Sequence, residues 1–307
     1  MTGSSVPVAS PTAVLRPRPG SLRRIVYRCV NVIAGLAMLT LAACSTAGSP
    51  VGGGSATPPS GQSTSSSAGR AGLSLVAIGD SIPYNSPDDC PRCTGFVDQY
   101  AKAVEKATGK HVTVQNLSQH TDLTLPQLLI ELDSFKQPLS AADVLLVGIA
   151  HNSFELNADF PCGRGRSVIN DNPDWSVVDA QCATKSAAEY QPMYKKLYTQ
   201  IAAWRDGKPT ILRTINRYND WIGSADAHLT PAQDLKTKTM LDPWDKMICS
   251  TATANGFVCA DIYHAFNGPA RTKAAAGLLG PDYTHPSQLG NDTIESVLEA
   301  LGYAPLS

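Results

Sequence analysis

Ser81 and His285 are the residues of this chain with the clearest capacity for chemistry. Ser81 follows Gly-Asp where an apolar run ends, and His285 stands three residues after Asp282 near the end of the chain. A serine hydroxyl is a weak nucleophile until a base removes its proton, and an imidazole held by a carboxylate can be that base. The residue types therefore predict Ser81 as a nucleophile, His285 as its base and Asp282 as the carboxylate that orients the ring.

Asn152 is a further candidate because it follows another apolar run, in the stretch Gly-Ile-Ala-His-Asn. Attack by a serine on a carbonyl carbon builds negative charge on the oxygen, which hydrogen-bond donors must stabilise. The backbone N–H of Ser81 and the amide of Asn152 are the predicted donors. Taken singly, the motifs also fit a turn serine, a surface Asp-x-x-His and a helix-capping asparagine. Their chain order and their positions after strands favour the catalytic interpretation.

Five apolar runs of strand length predict the scaffold that positions these residues. The runs cover residues 73–78, 112–117, 144–149, 210–215 and 256–262, and stretches with helical spacing lie between them. The third run begins with four consecutive apolar residues, which is typical of a parallel strand buried on both faces. Strands that alternate with helices predict an α/β fold, here a three-layer α/β/α sandwich around a five-stranded parallel sheet.

Two long connections, residues 153–186 and 217–238, follow predicted strands. Both are therefore expected at the carboxyl edge of the sheet, where open α/β sheets bind their ligands. Several side chains near this edge allow two interpretations, as walls of a pocket or as ordinary loop packing. They are His120, His151, Trp175, Tyr218 and Trp221.

The first 44 residues have the features of an export signal. Five arginines and no acidic residue lie within residues 1–43, and a mostly apolar run from 29 to 43 follows the last arginine. Such a run is short for a membrane span and suits the core of a signal peptide. It ends in Leu-Ala-Ala before Cys44, which resembles a bacterial lipobox and predicts lipidation of Cys44. An ordinary secretory signal and an uncleaved anchor are the alternatives.

Residues 45–70 consist almost wholly of Ser, Gly, Thr, Ala and Pro, with one charge at the far end. They are predicted to be a disordered tether, which leaves residues 71–307 as the folded domain. Beyond residue 43 the chain carries 20 basic against 26 acidic residues, which disfavours a nucleic acid partner. No cofactor is required by the predicted chemistry, and no spacing of histidines and cysteines predicts a metal site.

Six cysteines lie in the predicted domain, and an even number in an exported domain predicts three disulfides. Neighbour pairing is the simplest arrangement among several. A bond between the third and fourth cysteines could pin residues 153–186 as a lid. The first two, spaced Cys-Pro-Arg-Cys, also allow a redox motif or half of a zinc site. The six are Cys90, Cys93, Cys162, Cys182, Cys249 and Cys259.

These motifs resemble those of the SGNH (GDSL-like) hydrolase family over roughly residues 73–303. The resemblance implies a flavodoxin-like α/β/α sandwich with five strands. It also implies that Ser81 is the nucleophile, that Asp282 and His285 complete a catalytic triad, and that Asn152 is the oxyanion-hole asparagine.

Two departures from the family pattern stand out. In the block after the second strand, Thr121 occupies the place of a glycine whose N–H joins the oxyanion hole, so Thr121 N–H is the third expected donor. In the next block, Ser153 replaces the aspartate that follows the asparagine, so the support of Asn152 is expected to differ.

The predicted function is hydrolysis of carboxylic esters through an acyl-enzyme, on lipid esters or on O-acyl and O-acetyl groups of glycans. A non-catalytic surface binding module on the same scaffold and an acyltransferase are the alternatives. We expect a monomer that is exported and held at the bacterial cell membrane by a lipid on Cys44.

Overall fold

The computed structural model describes residues 72–153, 162, 175–225 and 227–306, and a five-stranded parallel sheet lies at its centre. The strands are adjacent in the order β2-β1-β3-β4-β5. They are β1 (Leu73–Gly79), β2 (Val112–Asn116), β3 (Val144–Gly148), β4 (Ile211–Ile215) and β5 (Val258–Ala260). The predicted export signal, Cys44 and the predicted tether lie outside the described residues, and the domain boundary at residue 71 stays a prediction.

Helices connect the strands and follow the last one. The α-helices of the described residues are α1 (Ser81–Tyr84), α2 (Phe96–Thr108), α3 (Leu125–Glu131), α4 (Lys136–Ala141), α5 (Ala180–Arg205), α6 (Pro231–Thr253), α7 (Ile262–Asn267) and α8 (Gln288–Ala300). Short 3₁₀ segments occupy Leu132–Phe135 and Trp175–Val177. Within this part of the chain, no helix is both long and apolar enough to cross a lipid bilayer.

The sheet is covered on both faces, because alternate residues of its strands enter two separate apolar cores. Val76 and Ile78 of β1 pack in the core formed with α3, α4, α5 and α6, whereas Leu75 and Ala77 pack in the core formed with α2, α7 and α8. Each large apolar side chain buried in this way contributes about 1.5–3 kcal/mol relative to exposure. The two cores confirm the predicted three-layer α/β/α sandwich.

Three strands end one or two residues earlier than the apolar runs predicted, namely β2 at Asn116, β3 at Gly148 and β5 at Ala260. β5 covers only Val258–Ala260, because Asp261 caps α7 by accepting the backbone N–H of His264. The connection predicted over residues 153–186 is also shorter, since α5 begins at Ala180. Apolar composition alone does not show where a strand gives way to a helix, whereas a capping side chain does.

Three disulfides join neighbouring cysteines, which confirms the simplest pairing. Their members are Cys90 with Cys93, Cys162 with Cys182, and Cys249 with Cys259. The first closes the loop between α1 and α2, the second ties Cys162 to the first turn of α5, and the third joins α6 to β5. Most of the segment predicted as a lid lies outside the described residues.

Candidate active site

Ser81 lies directly after the carboxyl end of β1, where the strand order of the sheet reverses. β1 stands between β2 and β3, and α2 and α5 pack on opposite faces of the sheet, an arrangement in which open α/β sheets form a crevice at the strand ends. Gly79 is required here because a Cβ on it would lie 1.9 Å from the carbonyl oxygen of Gly148 on β3. The chain turns immediately into α1, whose first residue is Ser81.

His285 bridges Ser81 and Asp282. Its Nε2 lies 2.8 Å from the Oγ of Ser81, and its Nδ1 lies 2.5 Å from the Oδ2 of Asp282. The other carboxylate oxygen of Asp282 accepts the backbone N–H groups of Thr284 and His285, each at 3.1 Å. When the serine hydroxyl donates to Nε2, the proton of the neutral ring is on Nδ1 and faces Asp282. The structure thus brings the three predicted residues into one hydrogen-bonded chain.

The protonation of His285 is set by burial and by the carboxylates around it. Burial lowers its pKa, but the hydrogen bond and charge of Asp282, with the charges of Asp89 and Asp80, outweigh this effect, so the net pKa is raised. Burial raises the pKa of Asp282, but its hydrogen bonds with His285 and Thr284 outweigh burial, so the net pKa is lowered. Both shifts stabilise an imidazolium beside a carboxylate, the state formed when Ser81 loses its proton.

Asp80 joins the helix of the nucleophile to the loop of Asn152. Its Oδ1 accepts the N–H of Ile82 at 3.1 Å, and its Oδ2 accepts those of Ala150 and His151, each at 3.0 Å. The side chain is buried, and burial raises its pKa against the opposing effect of these hydrogen bonds. The loop after β3 is therefore held by a carboxylate from the loop after β1.

Ser153, which stands where the resembled family has an aspartate, also anchors this loop. Its Oγ accepts the backbone N–H of Leu125, the first residue of α3, at 2.7 Å. The adjacent Nδ2 of Asn152 and Nε2 of His151 are buried and have no hydrogen-bond partner among the described residues. Buried polar atoms are nearly always paired, so these two nitrogens are candidates for contact with a ligand. An unpartnered amide N–H is what a donor to an oxyanion requires.

Thr121, the third expected donor, is exposed. Its hydroxyl donates to the Oε1 of Gln119 at 3.4 Å. Within the described part of the chain, no hydrogen bond links Thr121 to Ser81 or Asn152, and its role in an oxyanion hole stays a prediction.

The aromatic side chains of the two long connections pack against neighbouring residues. Trp175 is buried with its ring edge-on to Trp221, at 4.9 Å between centroids. Tyr218 is buried, and its hydroxyl donates to the carbonyl of Thr284, the residue before His285, at 2.6 Å. The ring of His151 packs on Tyr218 at 4.4 Å. These contacts favour the packing interpretation for Trp175 and Tyr218.

Asp89 is a charged residue of the site that the sequence analysis missed. Its Oδ2 lies 3.5 Å from the Nδ1 of His285 and 2.8 Å from the Nε2 of His120. The three residues offer ligand atoms within 4.8 Å of one another, as a metal ion would need. Because the three residues are far apart in the chain, no sequence motif predicts this cluster. Because Asp282 already engages Nδ1 of His285, a metal ion there would displace that hydrogen bond.

A second Asp-x-x-His occurs at Asp261 and His264. The Nδ1 of His264 lies 2.5 Å from the Oδ2 of Asp261, the same distance as in the candidate site. Its Nε2, however, accepts from the Nε of Arg271 at 3.0 Å rather than from a hydroxyl. The motif alone therefore does not distinguish a catalytic histidine from a structural one.

No protein-family model matches the chain, and no curated protein matches it either. Several solved structures are similar. The lipase Lip_vut3 from a goat rumen metagenome is 19% identical, with 76% of this chain and 100% of that chain covered and a TM-score of 0.59. The extracellular lipase of Streptomyces rimosus is 17% identical, with 74% and 99% covered and a TM-score of 0.51.

A protein of Parabacteroides merdae ATCC 43184 whose name likens it to GDSL lipases is also similar. It is 17% identical, with 76% of this chain and 96% of that chain covered and a TM-score of 0.52. Likeness at such identity concerns the path of the backbone, since one fold can serve many functions. The five-stranded parallel sheet and these neighbours show that the chain has the SGNH-hydrolase fold that its motifs resemble.

Proposed function

We propose that the domain is a serine esterase that hydrolyses carboxylic esters. The observation that carries the proposal is the hydrogen-bonded chain from the Ser81 hydroxyl through His285 to Asp282, with links of 2.8 and 2.5 Å. A nucleophile, a base and an orienting carboxylate in this order are the parts needed for acyl transfer. The lipases with the same fold add support.

In the proposed mechanism, the Oγ of Ser81 attacks the ester carbonyl while its proton passes to Nε2 of His285. Asp282 holds Nδ1–H and stabilises the imidazolium. The negative oxygen of the tetrahedral intermediate receives hydrogen bonds from the N–H of Ser81, the amide of Asn152 and the N–H of Thr121. The imidazolium then gives its proton to the leaving alkoxide, which departs as the alcohol.

Water then hydrolyses the acyl-enzyme, with His285 again acting first as a base and then as an acid. His285 takes a proton from water as the water attacks the acyl-enzyme, and then returns a proton to Ser81 as the acid leaves. No cofactor takes part. An acyltransferase would differ only in the acceptor, because a second hydroxyl compound would replace water.

The substrate class we propose is a lipid ester or an O-acylated or O-acetylated glycan at the cell surface. The neighbours described as lipases support a lipid ester. We also propose that the chain is exported and lipid-anchored through Cys44, because the lipobox-like Leu-Ala-Ala-Cys ends the apolar run. Metabolic labelling with a fatty acid analogue should mark the wild-type chain and leave Cys44→Ala unmarked.

The test of the esterase proposal is hydrolysis of p-nitrophenyl acetate, butyrate and octanoate by the full chain purified in mild detergent. Ser81→Ala should lower kcat by about four orders of magnitude or more, because no nucleophile remains. The profile over the three chain lengths measures the acyl preference. A fluorophosphonate should label the wild-type protein at Ser81.

The second Asp-x-x-His provides a matched control. His285→Gln should abolish turnover, whereas His264→Gln removes an equivalent hydrogen bond to an aspartate and should leave kcat unchanged. A folded wild-type protein with no turnover and no labelling of Ser81 would reject the esterase and favour a binding module.

A further inference from the structure

Nδ1 of His285 faces two carboxylates rather than one. Asp282 lies at 2.5 Å from this nitrogen, and Asp89 lies at 3.5 Å from it on a different loop. A triad needs one such acid, and Asp89 has no part in the mechanism described above. Its Oδ2 is buried, accepts no hydrogen bond of good geometry from the described residues, and is within ion-pair distance of two imidazoles.

Contacts within the loop between α1 and α2 fix the position of Asp89. The Cys90–Cys93 disulfide closes this loop next to Asp89, and Cys93 is contacted by the side-chain amide of Asn85, which donates to its carbonyl. Asn85 in turn receives a hydrogen bond from Asn291 of α8. The loop is thus tied to the helix that follows the His285 segment.

Direct packing also joins the Asp89 loop to the catalytic loop. A Cβ on Gly280 would lie 3.2 Å from the backbone oxygen of Asp89 and 3.4 Å from that of His285. The N–H of Gly280 donates to the carbonyl of His285 at 2.7 Å. A displacement of Asp89 is therefore expected to move the segment that carries His285.

His120 holds the carboxylate of Asp89 from the other side. Its Nε2 is 2.8 Å from Oδ2, and its ring stacks on Tyr84 at 5.6 Å between centroids. The ring also lies 5.6 Å from that of His285. Asp89 is thus placed between two imidazoles, one of which is the proposed base.

We propose that Asp89 is a positioning residue for His285, a second carboxylate that stands beside Nδ1 with Asp282 and that His120 fixes in place. The inference rests on the proposed function and deepens it. The catalytic atom that Asp89 faces is Nδ1 of His285, so Asp89 acts through the base. Its negative charge also favours the imidazolium.

Asp89 is one of several charged or titratable groups that interact electrostatically with His285. Asp282 and Asp80 act in the same direction on its pKa as Asp89 does. Burial is the largest cause of the pKa shifts of Asp80, His151 and Asp220, and the charge of His285 adds a smaller effect that lowers each pKa. Replacing Asp89 removes one of three negative charges that favour the imidazolium, so the pKa of His285 should fall.

The experiment compares Asp89→Asn with Asp88→Asn in the full chain purified in mild detergent. Asp88 is the exposed neighbour in the same loop and serves as the matched control. Asp89→Asn should lower kcat about tenfold with KM nearly unchanged, as expected for a residue that supports general base catalysis. It should also move the acidic limb of the pH profile of kcat/KM to lower pH. Asp88→Asn should do neither.

A double-mutant cycle separates positioning from a general effect on the fold. In Asp282→Asn, Asp89 is the remaining carboxylate near Nδ1, so adding Asp89→Asn should cost a larger factor in kcat than it costs in the wild type. A merely structural role would give the same factor in both backgrounds. Equal factors, or an unmoved acidic limb, would overturn the proposal.

A readout that does not need turnover keeps this inference apart from the esterase proposal. An NMR titration of the His285 ring in the wild type and in Asp89→Asn should show a lower pKa in the variant. A lower pKa without esterase activity in the wild type would reject the proposed function and leave the coupling between Asp89 and His285 intact. An unchanged pKa would reject the coupling, even in an active enzyme.

Discussion

Replacing Asp80 by asparagine should lower both stability and turnover, although the new side chain has nearly the same size. The carboxylate of Asp80 is 1% exposed and accepts three backbone N–H groups, from Ile82, Ala150 and His151. An amide has one oxygen, so its NH₂ group must face at least one of these N–H donors. The better orientation keeps the oxygen towards Ala150 and His151 and leaves Ile82 unpaired.

The cost follows from these contacts. A buried donor without a partner costs about 1–3 kcal/mol, and the two hydrogen bonds that remain lose about 1 kcal/mol each when the acceptor becomes neutral. Removing a buried charge offsets part of this loss, because burial raises the pKa of Asp80. We expect a net loss of about 1–3 kcal/mol in the free energy of unfolding. In a domain of this size, each kcal/mol lost lowers Tm by about 2–4 °C.

Turnover should fall because the same N–H groups hold the loop of Asn152. Complete loss of an oxyanion donor lowers kcat by about 10²–10³-fold, so a displaced donor should cost about tenfold or more, with KM little changed. Calorimetry and p-nitrophenyl ester kinetics measure the two effects separately. Asp261→Asn is the control, since Asp261 also caps a helix but its side chain is 45% exposed and water can replace it. Unchanged Tm and kcat in Asp80→Asn would refute the reasoning.

Two further results are expected. The pH profile of kcat/KM should rise with a midpoint above 6.5, because His285 is a base only when neutral and its pKa is raised; a midpoint at or below 6.5 would contradict this. Asn152→Ala should lower kcat by about 10²–10³-fold with KM little changed, and an unaffected kcat would remove Asn152 from the oxyanion hole.

The fold was largely predictable because it depends on patterns that are local in the chain. Alternation of apolar runs with helical spacing predicted the layers, since a strand buried on both faces must be apolar at successive positions, as β3 is. The disulfides were predictable as neighbours because the paired cysteines are close in sequence. Strand ends were less predictable, because they depend on caps such as Asp261, whose hydrogen bonds are not visible in apolar content.

The sequence by itself determined the candidate nucleophile, base and acid, because Ser81, Asp282 and His285 have residue types and chain positions that serve such chemistry. The Asp-x-x-His spacing alone does not distinguish His285 from His264, and the place of His285 in the last motif, before the final helix, favoured it. The tertiary structure showed the physical difference, by placing the Ser81 hydroxyl on the ring of His285 and an arginine on that of His264. It likewise brought Asp89 and His120 to the base, because contacts between residues far apart in the chain arise only when the strands and their loops assemble.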